Sequence, residues 1–264
     1  ATGIIPVYLG QADSTVLHRQ IPEIMQHYGL VGKGLSHSFS PAYFADKFSR
    51  EHIAADYRLF DVEEVADLRK TLQNKHLSGF NVTIPYKETI IPLLDDIAGA
   101  ALEIGAVNTV KIIGDHWCGY NTDWIGFRDS LQPLLTAGHK RALLIGTGGA
   151  SKAVSYALRQ LKIEITLCGR SSGLLLENVT PEIIADHQLI INCTPLGTFP
   201  NTDTRPEIPY AALTPDHLAY DLVYNPPKTA FLKAAESQGA VIKNGHEMLV
   251  LQAEEAYRIW SQHL

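Results

Sequence analysis

The chain has 264 residues, enough for two ordinary domains or one large one, and 45% of them are hydrophobic, which supplies a real core. A formal charge of −6 without any Lys/Arg cluster excludes the footprint of a nucleic-acid binder and the polybasic patch of a protein docked on anionic membrane. No apolar run is long enough to cross a bilayer, nothing reads as a secretory signal, and the 3 cysteines, Cys118, Cys168 and Cys193, lack metal spacing, so a cytoplasmic protein with buried free thiols and no metal is expected.

Residues 1–27 lack an initiator Met, fit the rest poorly and read as a processed or appended arm without an assignable function. From Tyr28 to Tyr120 short apolar runs alternate with helical patterns. Gly29–Gly32 reads as a strand, Pro41–Arg50 as a helix and Tyr57–Phe60 as a strand. Val62, Val65, Leu68 and Leu72 recur at helical spacing over 62–72. In GFNVTIPYK, Phe80, Val82 and Ile84 alternate with Asn81 and Thr83, predicting a strand with an apolar and a polar face, ended by Pro85, which has no N–H to donate. Residues 106–113 and 116–120 read as a hairpin turning at Gly114-Asp115, and 124–135 as an amphipathic helix.

The pattern changes after Gly138. Arg141–Ile145, Ile163–Cys168, Leu189–Cys193, Leu218–Val223 and Ala240–Lys243 are strand-like runs, most of them continuously apolar. Helices are expected at 151–161, 229–237 and 248–260. Apolar strands alternating with helices predict a parallel sheet covered on both faces. The last helix is expected to pack back on the first half.

The glycine loop LLIGTGGASKAV follows a strand and opens a helix. Gly146 can make the tight turn, Gly148 and Gly149 can let backbone approach a pyrophosphate, and Ser151 is small where a third glycine often stands. The helix N-terminus adds free N–H groups. The next strand ends Gly169-Arg170-Ser171-Ser172 without the acid that an NAD ribose would require. Arg170 can instead pair with a 2′-phosphate, with Ser171 and Ser172 beside it, so NADP(H) is the expected cofactor. The plainer alternative for Arg170 is a solvated strand end.

Other polar residues gather elsewhere. Lys87 stands just past a strand end, open to a carbonyl or hydroxyl, or simply solvated. Ser38 and Ser40 precede a helix opened by Pro41 and can either cradle a carboxylate or act as loop and cap. Asp123, in Asn121-Thr122-Asp123, begins another helix and can be a cap, a catalytic acid, or both. Asn108 interrupts an apolar run, as a core amide more often does than a ligand. Gln252 shares a helical stripe with Met248, Ala256 and Ile259 and needs a polar partner.

Together SHSFSP, GFNVTIPYK, GAVNTV, GYNTDWIGF, GTGGASKAV, NCTPLGTFP, YDLVYNPPKT and NGHEMLVLQAEEAY, in this order, resemble the shikimate dehydrogenase family over nearly the whole length from Tyr28. The resemblance implies an α/β fold with an N-terminal substrate domain, residues 1–122, completed by a C-terminal helix at 246–264. It also implies a Rossmann-type NADP-binding domain with a parallel sheet at 123–245, and a cleft between the two. It implies NADPH-dependent reduction of 3-dehydroshikimate to shikimate, in aromatic amino-acid biosynthesis, by a monomer or homodimer. Lys87 and Asp123 would be the catalytic pair. Ser38, Ser40 and Tyr224 would serve the substrate carboxylate, Thr83 would also contact substrate, and Asn108 and Gln252 would bind ring hydroxyls. Gly146, Gly148, Gly149, Ala150 and Ser151 would hold the pyrophosphate and Arg170, beside Ser171, the 2′-phosphate. Asn192, Thr194 and Met248 would line the cofactor side. Rival expectations are a quinate dehydrogenase using NAD, or a ligand-binding homologue without turnover. The chain departs from the family pattern at Gly169 and Ser171, where Asn and Thr are usual, at Gly173-Leu174, where a second basic residue often follows, and at Glu247, usually glycine.

Overall fold

The computed structural model describes residues 25–170 and 173–262. Most of the N-terminal arm and Ser171 therefore lie outside the described residues. The first half runs β1 (Gln26–Gly32), α1 (Ser40–Arg50), β2 (Ala55–Asp61), α2 (Leu68–Leu72), β3 (Gly79–Val82), β4 (Asp96–Ile97), α3 (Ala100–Ile104), β5 (Thr109–Ile113), β6 (His116–Tyr120) and α4 (Asp123–Leu131). Its six strands form one mixed sheet in the order β2-β1-β3-β5-β6-β4. The expected hairpin is present, with Ile113 opposite His116 across the turn.

The second half runs β7 (Arg141–Ile145), α5 (Gly149–Gln160), β8 (Glu164–Gly169), β9 (Leu174–Leu175), α6 (Pro181–Asp186), β10 (Leu189–Asn192), β11 (Leu218–Asp221), α7 (Ala230–Glu236), β12 (Val241–Lys243) and α8 (His246–Ser261). Its sheet has the order β12-β11-β10-β7-β8-β9, and every pairing is parallel. The continuous apolar runs follow from burial on both faces. Leu144, Leu189 and Ile191 pack with Phe127, Val154 and Leu158 on one side. Leu143, Ile145 and Ile190 pack with Ile184, Phe231 and Leu232 on the other.

Helix α8 returns to the first half. Trp260 stacks on Tyr28 with ring centroids 4.6 Å apart, and its indole N–H donates to Val110 O at 2.9 Å. α8 also crosses α4 at close range. A Cβ on Gly126 would stand 2.5 Å from Met248 O and 2.9 Å from Gln252 N, so only glycine allows this approach. Among the described residues no helix is long and apolar enough to cross a membrane, and all three cysteines are free.

Three local expectations are corrected. The segment expected as one helix over 62–72 is helical only from Val65, as a 3-10 turn leading into α2. Val62 instead continues the sheet edge, its N–H bonding Gly32 O at 3.0 Å, and Glu64 is extended. β3 ends at Val82 rather than Ile84: Thr83 N–H still bonds Val31 O of β1 at 2.9 Å, but Thr83 O accepts from Tyr86 N–H at 2.9 Å, closing a turn that takes the chain out of the sheet, and Ile84 is 73% exposed. Ser40 is not a cap either. Phe39 already has helical angles, and Ser40 is the first residue of α1, making no capping bond.

Candidate active site

Lys87, on the loop after β3, and Asp123, the first residue of α4, come from separate parts of the first half and meet. Lys87 Nζ donates to Asp123 Oδ2 at 2.7 Å, with the two side chains 17% and 8% exposed. The lysine backbone is fixed independently, since Lys87 O accepts from Val107 N–H at 2.7 Å. Asp123 makes no cap; its second oxygen accepts from Asn108 Nδ2 at 2.8 Å. Asn108 lies one residue before β5 and is anchored by Thr122 N–H, which donates to its Oδ1 at 2.7 Å. The polar residue in an apolar run is therefore a fully bonded amide that orients a carboxylate.

A cavity of about 180 Å³ opens on this pair. Ser38, Ser40, Thr83, Asn108, Tyr224 and Gln252 all line it with Lys87 and Asp123. Different elements bring them there. The loop before Ser38 is pinned by Asp61, whose carboxylate accepts from Gly34 and Leu35 N–H at 3.1 and 3.2 Å. Gln252 arrives on α8 through the Gly126 crossing, and its Nε2 donates to Leu249 O at 2.9 Å. Tyr224 follows β11 and stands edge-on to Phe39 at 6.1 Å; burial raises its phenol pKa.

Asn81, which the strand alternation puts on the same polar face as Thr83, also lines this cavity. Its groups are already bonded: Tyr57 OH donates to Oδ1 at 2.8 Å, and Nδ2 donates to Asn108 O and Thr109 Oγ1. Phe39 and Leu249 also line the cavity and were not anticipated. Apolar residues at such positions carry no signal that separates a pocket wall from core.

A second, larger cleft of about 620 Å³ adjoins the first, and Thr83 and Lys87 line both. Gly146, Gly148, Gly149, Ala150, Arg170 and Thr194 line the cleft. Gly146 has φ +117, a backbone state suited to glycine, and a Cβ there would stand 3.1 Å from the Cys193 backbone. Gly148 caps α5 without a side-chain bond, and nothing lies within 4 Å of where its Cβ would be. The α5 N–H groups thus face an uncluttered backbone cradle, which suits a pyrophosphate. No carboxylate ends β8 (Glu164–Gly169), and the exposed Arg170 follows it, which suits a 2′-phosphorylated ribose.

Among the described residues, three expected cofactor residues do not line the cleft. Ser151 Oγ donates to Gly148 O at 2.7 Å and so braces the turn. Asn192 is fully buried; it accepts from Thr194 N–H at 3.0 Å and Oγ1 at 2.6 Å and donates to Asp221 Oδ1 at 2.9 Å, so it fixes Thr194. Met248 packs in the core with Phe127 and Tyr220. Glu247 lines neither cavity and is ion-paired with Lys243. Asp221, behind Asn192, is pushed up to about 6 by burial, against the hydrogen bonds from Thr229, Val223 N–H and Asn192.

Comparison with known proteins gives a consistent result. Residues 30–110 match the family described as the shikimate dehydrogenase substrate binding domain. The chain is 37% identical over 246 residues to a shikimate dehydrogenase (NADP(+)) of Clostridium botulinum, strain Hall, covering 88% of this chain and 95% of the relative. It superposes on the Thermus thermophilus shikimate 5-dehydrogenase solved with NADP(H) and shikimate at TM-score 0.81, with 30% identity and 91% and 95% of the two chains covered. A quinate dehydrogenase of Corynebacterium glutamicum solved with NAD gives TM-score 0.82, 28% identity and coverage of 89% and 93%.

Proposed function

Because the chain belongs to the shikimate dehydrogenase family, we propose that it catalyses the reversible NADPH-dependent reduction of 3-dehydroshikimate to shikimate, a step in making aromatic amino acids. The carrying observation is the Lys87–Asp123 contact at the junction of a small polar cavity with a cleft floored by a glycine turn. We assign the small cavity to the substrate and the cleft to NADP(H). On this reading the substrate domain is residues 1–122 with the C-terminal segment 246–264, which carries α8, and the cofactor domain is 123–245.

Carbonyl reduction needs a hydride on carbon and a proton on oxygen. NADPH, when bound, supplies the hydride. Lys87 donates the proton and, as an ammonium, stabilises the negative charge growing on the carbonyl oxygen. Asp123 holds Lys87 in place and shares its proton, while Asn108 fixes the carboxylate. Ser38, Ser40 and Tyr224 receive the substrate carboxylate, Thr83 contacts the ring, and Gln252 and Asn108 meet ring hydroxyls. Gly146, Gly148, Gly149 and Ala150 hold the pyrophosphate with Ser151 bracing the turn, Thr194 (fixed by Asn192) faces the cofactor, and Arg170 with Ser171 takes the 2′-phosphate. Met248 supports the cofactor side from the core. The three free thiols agree with a reducing compartment such as the cytoplasm.

The reading is tested by following nicotinamide absorbance with shikimate or quinate and NADP⁺ or NAD⁺. Shikimate with NADP⁺ is the expected best pair. Absence of NADPH formation with shikimate overturns the assignment.

A further inference from the structure

Glu88 directly follows Lys87, but its side chain turns the other way, across the cleft. Lys152 Nζ, from the N-terminal end of α5, donates to Glu88 Oε2 at 2.6 Å, and the side chains are 40% and 47% exposed for Lys152 and Glu88. Among the described residues this is the one ion pair that joins the Lys87 loop to α5. The loop's backbone belongs to the first half. Besides the Val107 bond, Tyr86 OH donates to Val62 O and Glu63 O at 2.6 and 2.7 Å. The loop's side chains nevertheless overhang the first residue of α5: a Cβ on Gly149 would stand 3.7 Å from Glu88 Oε1 and 3.8 Å from Lys87 Cβ. Glu88, Lys87 and Gly149 all line the same cleft.

We infer that the Glu88–Lys152 pair is a positioning tie for Lys87. It holds the lysine loop against the helix that carries the glycine turn and so sets the gap across which hydride and proton must be delivered together. The inference rests on the function proposed above. A half-exposed ion pair adds little to global stability. It acts instead on a distance within the reacting assembly, where small displacements are felt in turnover. Lys152 also balances a carboxylate that would otherwise stand uncompensated beside the pyrophosphate cradle.

The test uses the full chain with Glu88→Gln, Lys152→Met, the double variant and Lys152→Arg. Turnover, KM for shikimate, melting temperature and NADP⁺ affinity without shikimate are measured at low and high salt. Each neutralising single variant is expected to lower kcat and NADP⁺ affinity by about 2–5-fold, with KM for shikimate and melting temperature little changed. The double variant should be no worse than either single, Lys152→Arg should recover most of the loss, and high salt should erase the differences. Additive losses, or an unchanged kcat in Glu88→Gln, overturn the tie. So do opposite effects on NADP⁺ affinity, with Lys152→Met weaker and Glu88→Gln tighter, because they make Lys152 a phosphate ligand for which Glu88 competes. If the wild type forms no NADPH with shikimate, the assigned reaction fails separately, and non-additivity in NADP⁺ affinity still reads the tie.

Discussion

Asn108 Nδ2 donates to Asp123 Oδ1 at 2.8 Å and leaves Oδ2 to Lys87. Each oxygen of the carboxylate thus has its own charged or amide partner, held by a different segment. The lysine is aimed before any substrate arrives, which is what a preorganised proton donor requires.

Lys87→Ala should therefore cost turnover far more than affinity. A loss of about 10²–10⁴ in kcat is expected, with KM for shikimate changed by only a few-fold. Steady-state kinetics check this; retention of most of the kcat removes Lys87 from the chemistry. Asp123→Asn, which keeps the shape and loses the charge, should also be severely impaired.

On the proposed assignment, Ser38→Ala deletes a contact to the substrate carboxylate and leaves the proton path alone. KM for shikimate should rise about tenfold or more, as for one hydrogen bond to a charged group, while kcat stays near the wild-type value. A fall in kcat at constant KM would place Ser38 in the chemical step instead.

Arg170→Ala should raise KM for NADP⁺ by about tenfold or more and leave that for NAD⁺ nearly unchanged, because only the former carries the 2′-phosphate. Equal effects on both cofactors would mean that Arg170 is merely a strand-end residue.

Gly126→Ala inserts a methyl group where α4 and α8 cross, 2.5 Å from the Met248 carbonyl. The helices must separate, at a cost of about 1–3 kcal/mol in stability, read as a lowered melting temperature. Gln252 rides on α8, so KM for shikimate should rise as well.

Asp221 gives a pH signature. Its native pKa of about 6 lies above the ordinary 3.8. Between those values the native protein keeps a proton that the unfolded chain has lost, so raising pH through this window removes stability, by roughly 3 kcal/mol in total. Asp221→Asn removes the buried charge. The variant's melting temperature relative to wild type should climb from pH 4 to pH 7. A flat or falling difference would refute this account.

Sequence was a good guide wherever one physical demand dominated. β7, β10 and β11 had to be apolar on both faces, and their runs announce a covered parallel sheet. Gly114-Asp115 fixed the hairpin, and the glycine loop had to join a strand to a helix. It was a poorer guide where local periodicity competed with tertiary bonding. Val62 fits a helical stripe but is claimed by Gly32 O at the sheet edge. Ile84 fits strand alternation, yet it sits inside the turn closed by Tyr86 N–H on Thr83 O. Helix α6, with only Pro181–Asp186, is too short to show a period, though Thr180-Pro181 is a start signal and Thr180 does accept from Ile183 N–H. In the site, residue types revealed who gathers but not how. Asn108, Asn192 and Ser151 are polar because they brace neighbours, a role that depends on partners brought together by the fold.

The stack of Trp260 on Tyr28 has a consequence for biosynthesis. On the ribosome the opening sheet emerges long before the helix that seals it, so its apolar flank stays uncovered until α8 has been translated. A nascent chain stalled ahead of α8 should therefore present an incomplete, aggregation-prone first half beside a second half whose core still lacks Met248.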